Sequence, residues 1–158
     1  MAGNWQGYTN KMLFHSRLLL DAWVDAEIAA KPAFREACLN AMVQAYHSLL
    51  AEIMTNYQLS VSQLPTMDDA MTAFNHKGEC SSELRYVEQL MQQDSWLSSL
   101  VKAHFECMHP AQRINAERSI IPLSPMGLDN LQETESVIKV LESLKELVSY
   151  SRNFSLEW

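Results

Sequence analysis

Glycine is scarce, with four in a chain of 158 residues, at Gly3, Gly7, Gly78 and Gly127. They never cluster, which excludes the glycine-rich loops whose backbone N–H groups cradle phosphate. No G-x-S-x-G turn presents a serine nucleophile, and no C-x-x-C pair holds zinc or runs dithiol chemistry. The three cysteines, Cys38, Cys80 and Cys107, are odd in number and widely spaced. That usage suits reduced thiols in a cytoplasmic protein better than a disulfide framework, and none sits in an evidently electropositive stretch. Basic charge is short as well: 12 Lys and Arg against 19 Asp and Glu leave a net charge of −7. No third of the chain is basic, which argues against a general nucleic-acid binder, since phosphate neutralisation needs clustered cations. Arg113 with Arg118 is the one loop pair worth naming. Long apolar runs are missing too, because Arg17, Asp21 and Asp25 interrupt "MLFHSRLLLDAWVDAEIAA". The N-terminal "MAGNWQGYTNKMLFHSR" has no unbroken apolar segment after a basic start. Neither a membrane span nor a secretory signal is expected.

What is present is helical periodicity. With 47% hydrophobic and 20% charged residues, the composition is that of one globular domain spanning 1–158. From Thr9 to about Ala30, polar Arg17, Asp21 and Asp25 recur every four positions while Met12, Leu19, Leu20, Trp23 and Ala26 fall on another side. Pro32 ends that helix and opens the next, where its missing N–H costs nothing. From Ala33 to Tyr57 a polar line runs Glu36, Asn40, Gln44, Ser48, Glu52 and Asn56, opposite Leu39, Met42, Ala45, Leu49 and Ile53. Thr66 with Asp69 resembles a capping box for a short helix over 67–76, and Gly78 offers a left-handed stop. Ser81 or Ser82 starts another helix, and Asp94 is a candidate N-cap at a kink or break before "SWLSSLVKAHFECM". Residues 109–127 carry Pro110, Pro122, Pro125 and Gly127 and hold no long helix; "SIIPL" suits an extended segment, and the stretch is either a packed strap or the place where a partner binds. A last helix is expected from about Asp129 to Asn153. The fold class that follows is all-α: an antiparallel bundle of four to five long helices plus one short helix, with a long irregular segment before the last helix.

The densest set of candidate ligands lies in "KAHFECMHPAQR", where His104, Cys107 and His109 fall within six positions. On a continuing helix Cys107 is about 300° around from His104, but His109 is about 200° from Cys107 and points away. Three ligands converge only if the helix stops by Cys107 and a distant fourth ligand arrives. The simpler reading is a boundary histidine with an inert thiol one turn on, and no metal or cofactor is expected. Glu106 and His109 make a single E-x-x-H, whereas a carboxylate-bridged metal pair needs two. His15 and His47 lie on the first two helices and, with His104, are the candidate lining of a pocket should the bundle be an enzyme or sensor. Met42, Met54, Met67, Met71, Met91 and Met108 fall on apolar stripes, where methionine fills core gaps or forms adaptable binding surfaces. Trp158 either packs back on the bundle or stands as an exposed anchor.

"YTNKMLFHSRLLLDAW", "DSWLSSLVKAHFECMHP" and the closing "EW" together resemble an uncharacterised bacterial domain family of unknown function, made of small acidic all-helical proteins. The resemblance runs in order through most of the chain and implies a fold but no activity. A fainter similarity is to bacterial HEPN helical bundles, in size and in two long N-terminal helices. Their ribonuclease members carry Arg, four to six intervening residues, then His, and no Arg here is so followed: from Arg85 the window reads Leu90 to Gln92, and from Arg113 it reads Arg118 to Ile120. The function expected is that of a non-enzymatic cytoplasmic helical protein acting through protein contacts, with a protein partner or a second copy as homodimer.

Overall fold

The computed structural model describes residues 3–110 and 131–156. Arg113, Arg118, "SIIPL", Asp129 and Trp158 lie outside them. Six helices follow in order among the described residues: α1 (Trp5–Asp25), α2 (Lys31–Asn56), α3 (Met67–Lys77), α4 (Ser82–Gln92), α5 (Trp96–Cys107) and α6 (Thr134–Leu156). The all-helical class expected from periodicity is the one observed.

Hydrogen bonds between helices set their directions. Thr9 Oγ1 donates to Ser48 Oγ at 2.8 Å, Tyr8 donates to Gln44 at 2.9 Å, and the Cys38 thiol donates to the Ser16 carbonyl at 3.4 Å, so α1 runs antiparallel to α2. His104 beside Asn40 and Arg35 beside Cys107 make α5 antiparallel to α2 on another flank. Arg152 reaches Glu52 near the end of α2, while Arg35 near its start donates to the Leu131 carbonyl that precedes α6. α6 is therefore parallel to α2 and antiparallel to α1. The result is an up-down-up-down bundle of α1, α2, α5 and α6, with α3 beside the second half of α2, from Asp69 near His47 to Phe74 against Tyr57, and α4 starting at the end of α2, where Glu83 meets Tyr57.

The middle helix is α2. Leu39, Met42, Leu49 and Leu50 are fully buried, and Trp23, Phe74, Val87, Leu97, Leu100, Leu131, Val137 and Leu144 close on it from every side. This corrects the expected wet line along α2 at Ser48 and Glu52, whereas Glu36, Asn40 and Asn56 are exposed as expected. Ser48 is sealed inside, donating to the Trp5 carbonyl at 3.0 Å, and Glu52 is only 9% exposed. Where neighbouring helices cover α2, its small polar residues become the polar joints between them.

Local signals decide the ends. Asn4 accepts from the Gly7 amide at 2.9 Å, so α1 begins at Trp5, ahead of the expected Thr9. α1 stops at Asp25, where Ala26 turns extended, well before Pro32 and before the expected Ala30. The Thr66–Asp69 capping box and the left-handed Gly78 (φ 71°) bound α3 as the sequence suggests. Asp94 is not the cap expected of it. Ser95 caps α5, accepting from the Leu97 and Ser98 amides while Ser98 Oγ accepts from the Ser95 amide, a reciprocal box that Asp94 cannot close. The region after Ser81 is thus two helices, and α6 starts at Thr134, later than expected, with Leu131 left-handed (φ 52°) before it.

Candidate functional site

The ligands singled out in "KAHFECMHPAQR" separate in space. α5 does end at Cys107, the condition a metal site required. Yet the group that arrives from afar is a cation: Arg35 Nη1 donates to Cys107 Sγ at 3.4 Å. His104 Nε2 sits 3.1 Å from Asn40 Oδ1, and His109 folds back on its own turn, its Nδ1 2.7 Å from the Phe105 carbonyl and its ring stacked on Phe105 at 3.8 Å. Each of the three has its own neighbour, and among the described residues no group of three His, Cys, Asp or Glu side chains is arranged to hold a metal. Two cysteines that sit in no evidently electropositive stretch of sequence each have an arginine beside them in the fold, Cys107 with Arg35 and Cys80 with Arg85 at 3.5 Å. Arg85 is five residues from Cys80, but Arg35 comes from 72 residues away, beyond what the local sequence around Cys107 shows.

The histidine pocket is likewise divided. His47 on α2 and His104 on α5 lie close enough to feel one another, with Asp69 of α3 alongside. Burial first, then His104, holds His47 below its ordinary pKa, partly offset by Asp69; burial alone lowers His104. His15 is half-buried on α1 beside Phe14, ring centroids 6.5 Å apart. Cavities of about 370, 250, 200 and 460 Å3 open elsewhere, and none has a histidine in its wall.

Two of these cavities adjoin at the end of α2, sharing Asn56. Each contains a buried carboxylate. Glu52 is met by Arg152 through two hydrogen bonds at 2.9 and 3.0 Å, and the same guanidinium donates to Asn10 Oδ1 at 3.0 Å. Glu83, 4% exposed, has hydroxyls for company: Ser81 Oγ donates to Oε2 at 2.7 Å and Tyr57 at 3.1 Å. The first turn of α4 adds its partial positive charge to Glu83.

The outer side of α1 is exposed along its length. Thr9, Met12, Ser16, Leu20 and Trp23 face the bundle. Lys11, Phe14, Leu18, Asp21 and Asp25 follow a 3-4-3-4 spacing that places them within an arc of about 80° on the opposite side. All five are exposed, Phe14 by 59% and Leu18 by 49%. A lone exposed leucine is ordinary; two large apolar groups adjacent at i and i+4, bracketed by a cation and two anions in a heptad-like row, are not. Val24, 51% exposed, lies toward α6, and the register set by Arg152 against Asn10 brings Ile138, 39% exposed, level with it. The spacing was legible in "KMLFHSRLLLDAWVD", but Arg17, Asp21 and Asp25 also read as a plain wet line, which concealed Phe14 and Leu18 beside them.

A family model described as a family of unknown function, DUF6586, matches residues 1–158. No curated protein and no solved structure matches the chain, so the likeness to HEPN bundles gains no support.

Proposed function

We propose that this chain, which belongs to the DUF6586 family of unknown function, acts by holding another protein on the outer face of α1 and not by turning over a substrate. The observation that carries this reading is the exposure of Phe14 and Leu18 in the middle of a helix whose other side is fully engaged in the core. Covering two such side chains supplies apolar burial, and Lys11, Asp21 and Asp25 supply orientation. The test compares proteins retained by the immobilised chain with those retained by Leu18→Glu. A protein held by the first and released by the second supports the reading, and identical retention by both sinks it.

Glu83 favours a second reading, a small-molecule pocket at the end of α2 in place of one lined by His15, His47 and His104. A carboxylate 4% exposed, beside a cavity of about 460 Å3 and hydrogen-bonded by the hydroxyls of Ser81 and Tyr57, suits a ligand bearing an ammonium group. Putrescine is a suitable probe. A melting temperature raised in the wild type and unmoved in Glu83→Gln supports this pocket; equal response in both removes it.

A further inference from the structure

We infer that the partner on the outer face of α1 is a second copy of this chain, its α1 laid antiparallel across the first about a two-fold axis level with the midpoint of Phe14 and Leu18. The inference rests on the proposed docking role of that face and names its occupant.

The order of side chains along the row decides the direction. Read from the N-terminus it runs cation, apolar, apolar, anion, anion: Lys11, Phe14, Leu18, Asp21, Asp25. Two copies packed parallel set Lys11 on Lys11, Asp21 on Asp21 and Asp25 on Asp25. Each of those contacts is repulsive. Turned antiparallel about the midpoint, Phe14 of each copy meets Leu18 of the other, and Lys11 of each faces Asp21 of the other. Asp25 then falls opposite Gly7, where there is no side chain to obstruct it. One operation thus pairs every apolar group with an apolar group and the cation with an anion, twice over, as an isologous interface requires.

The 3-4 spacing suits this geometry, because it is the repeat that keeps one seam of a helix against a neighbouring helix. Lys11 presently leans over the Tyr8 ring, its Nζ 5.5 Å from the centroid, at the edge of the same face. A rotation of its flexible stem carries the ammonium across the seam. Val24 and Ile138 extend the apolar area beside it. A charge of −7 on each chain opposes association at a distance. The local pairing of Lys11 with Asp21 is therefore what makes this face, among acidic surfaces, able to meet itself. One helix pair falls below the roughly 800 Å2 per partner of a standard interface, so the dimer is concentration-dependent.

Sedimentation equilibrium over a range of concentrations, with circular dichroism to confirm helicity, tests the assignment. The wild type is expected to show a monomer–dimer equilibrium, and Leu18→Glu to be helical and monomeric. Lys11→Asp is expected to weaken the dimer roughly tenfold by replacing two attractive contacts with two repulsive ones. Lys11→Asp combined with Asp21→Lys is expected to return it to within about twofold of the wild type, since the exchange restores both pairs. A monomer at every concentration, a dimer indifferent to Leu18→Glu, or a charge exchange that fails to restore pairing overturns the inference. A photoreactive phenylalanine analogue at position 14, cross-linked in cells, separates this failure from that of the docking role. Cross-linking of a monomeric chain to a different protein keeps the face and overturns self-pairing, whereas a monomer with no cross-link overturns both.

Discussion

Glu52 and Arg152, one hundred residues apart in the chain, meet in a two-point ion pair that ties α2 to α6, and through Asn10 and the Gln6 carbonyl to α1. Glu52 retains 9% of its exposure and Arg152 27%. Removing the guanidinium leaves a largely buried carboxylate with its main partner gone. Arg152→Ala is expected to cost about 2–4 kcal/mol, less than for a wholly buried pair because solvent still reaches the arginine. The double variant Glu52→Gln with Arg152→Met is expected to recover at least half of that loss, since neither remaining group then needs a counter-charge. Urea unfolding of the wild type, the two single variants and the double variant gives the coupling directly; a coupling near zero refutes this account of the joint.

What was legible beforehand depended on how local its cause was. The Thr66 and Asp69 box and the Gly78 stop involve residues a few positions apart, and they hold as read. The cap of α5 went to Ser95 because the reciprocal bond to Ser98 outweighs the general preference for Asp94. Ser48 and Glu52 were misread as solvated for a different reason. Nothing in "NAMVQAYHSLLAEIM" says that this helix is the one surrounded by the others. Burial of a polar line is a property of the assembly, and it is revealed only when Trp5, Thr9 and Arg152 arrive from elsewhere. Arg35 beside Cys107 is the same case, with a separation of 72 residues.

Two left-handed residues predict opposite responses. Gln58 (φ 59°) ends α2, with the Leu59 amide donating to the Met54 carbonyl at 3.0 Å and the Gln58 amide to Thr55 at 2.9 Å. A side chain there pays the cost of the left-handed region, so Gln58→Gly is expected to stabilise by about 0.5–1 kcal/mol. Gly78 (φ 71°) has open space where a Cβ would stand. Gly78→Ala is expected to cost about 1 kcal/mol from backbone strain alone, without any steric clash. Thermal melts of both variants check the signs, and movement of the two in the same direction would contradict the common cause.

Tyr46 carries a buried hydroxyl with no hydrogen-bond partner among the described residues, on a side chain 2% exposed. An unpaired polar group in the core subtracts from stability, and Phe keeps the ring and its contact with His47. Tyr46→Phe is expected to leave the fold unchanged and to raise stability by up to about 1 kcal/mol. A loss greater than that, measured by urea unfolding, would reveal a partner for the hydroxyl.

The three thiols predict an order of modification. Cys38 is fully buried and its pKa is pushed up to about 12 by that burial, so almost no thiolate forms near neutrality. Cys80 is exposed and Cys107 partly so. Iodoacetamide is expected to label Cys80 first and Cys107 next, leaving Cys38 untouched until the chain unfolds. Mass spectrometry of peptides over time checks the order; early labelling of Cys38 would mean that α1 and α2 part readily.

Protonation of His47 links the α2–α5 groove to pH. Its folded-state pKa lies below the ordinary 6.5, from burial first and the nearby His104 second, against an opposing pull from Asp69. In the unfolded chain the same ring takes up its proton at about 6.5. As pH falls through that value the unfolded state therefore binds more protons than the folded one, and stability declines. The loss continues until the pH reaches the lower folded-state value. Above about pH 7 both states hold the ring neutral and the contribution is complete. His104, lowered by burial, acts in the same direction, so the two reinforce one another. Unfolding in urea between about pH 5 and 8 keeps carboxylates ionised and isolates the imidazoles. Stability is expected to fall toward the acid end in the wild type and to fall less steeply in His47→Gln. The slope should flatten further in His47→Gln with His104→Gln, while Asp69→Asn should steepen it by removing the one group that favours the charged ring.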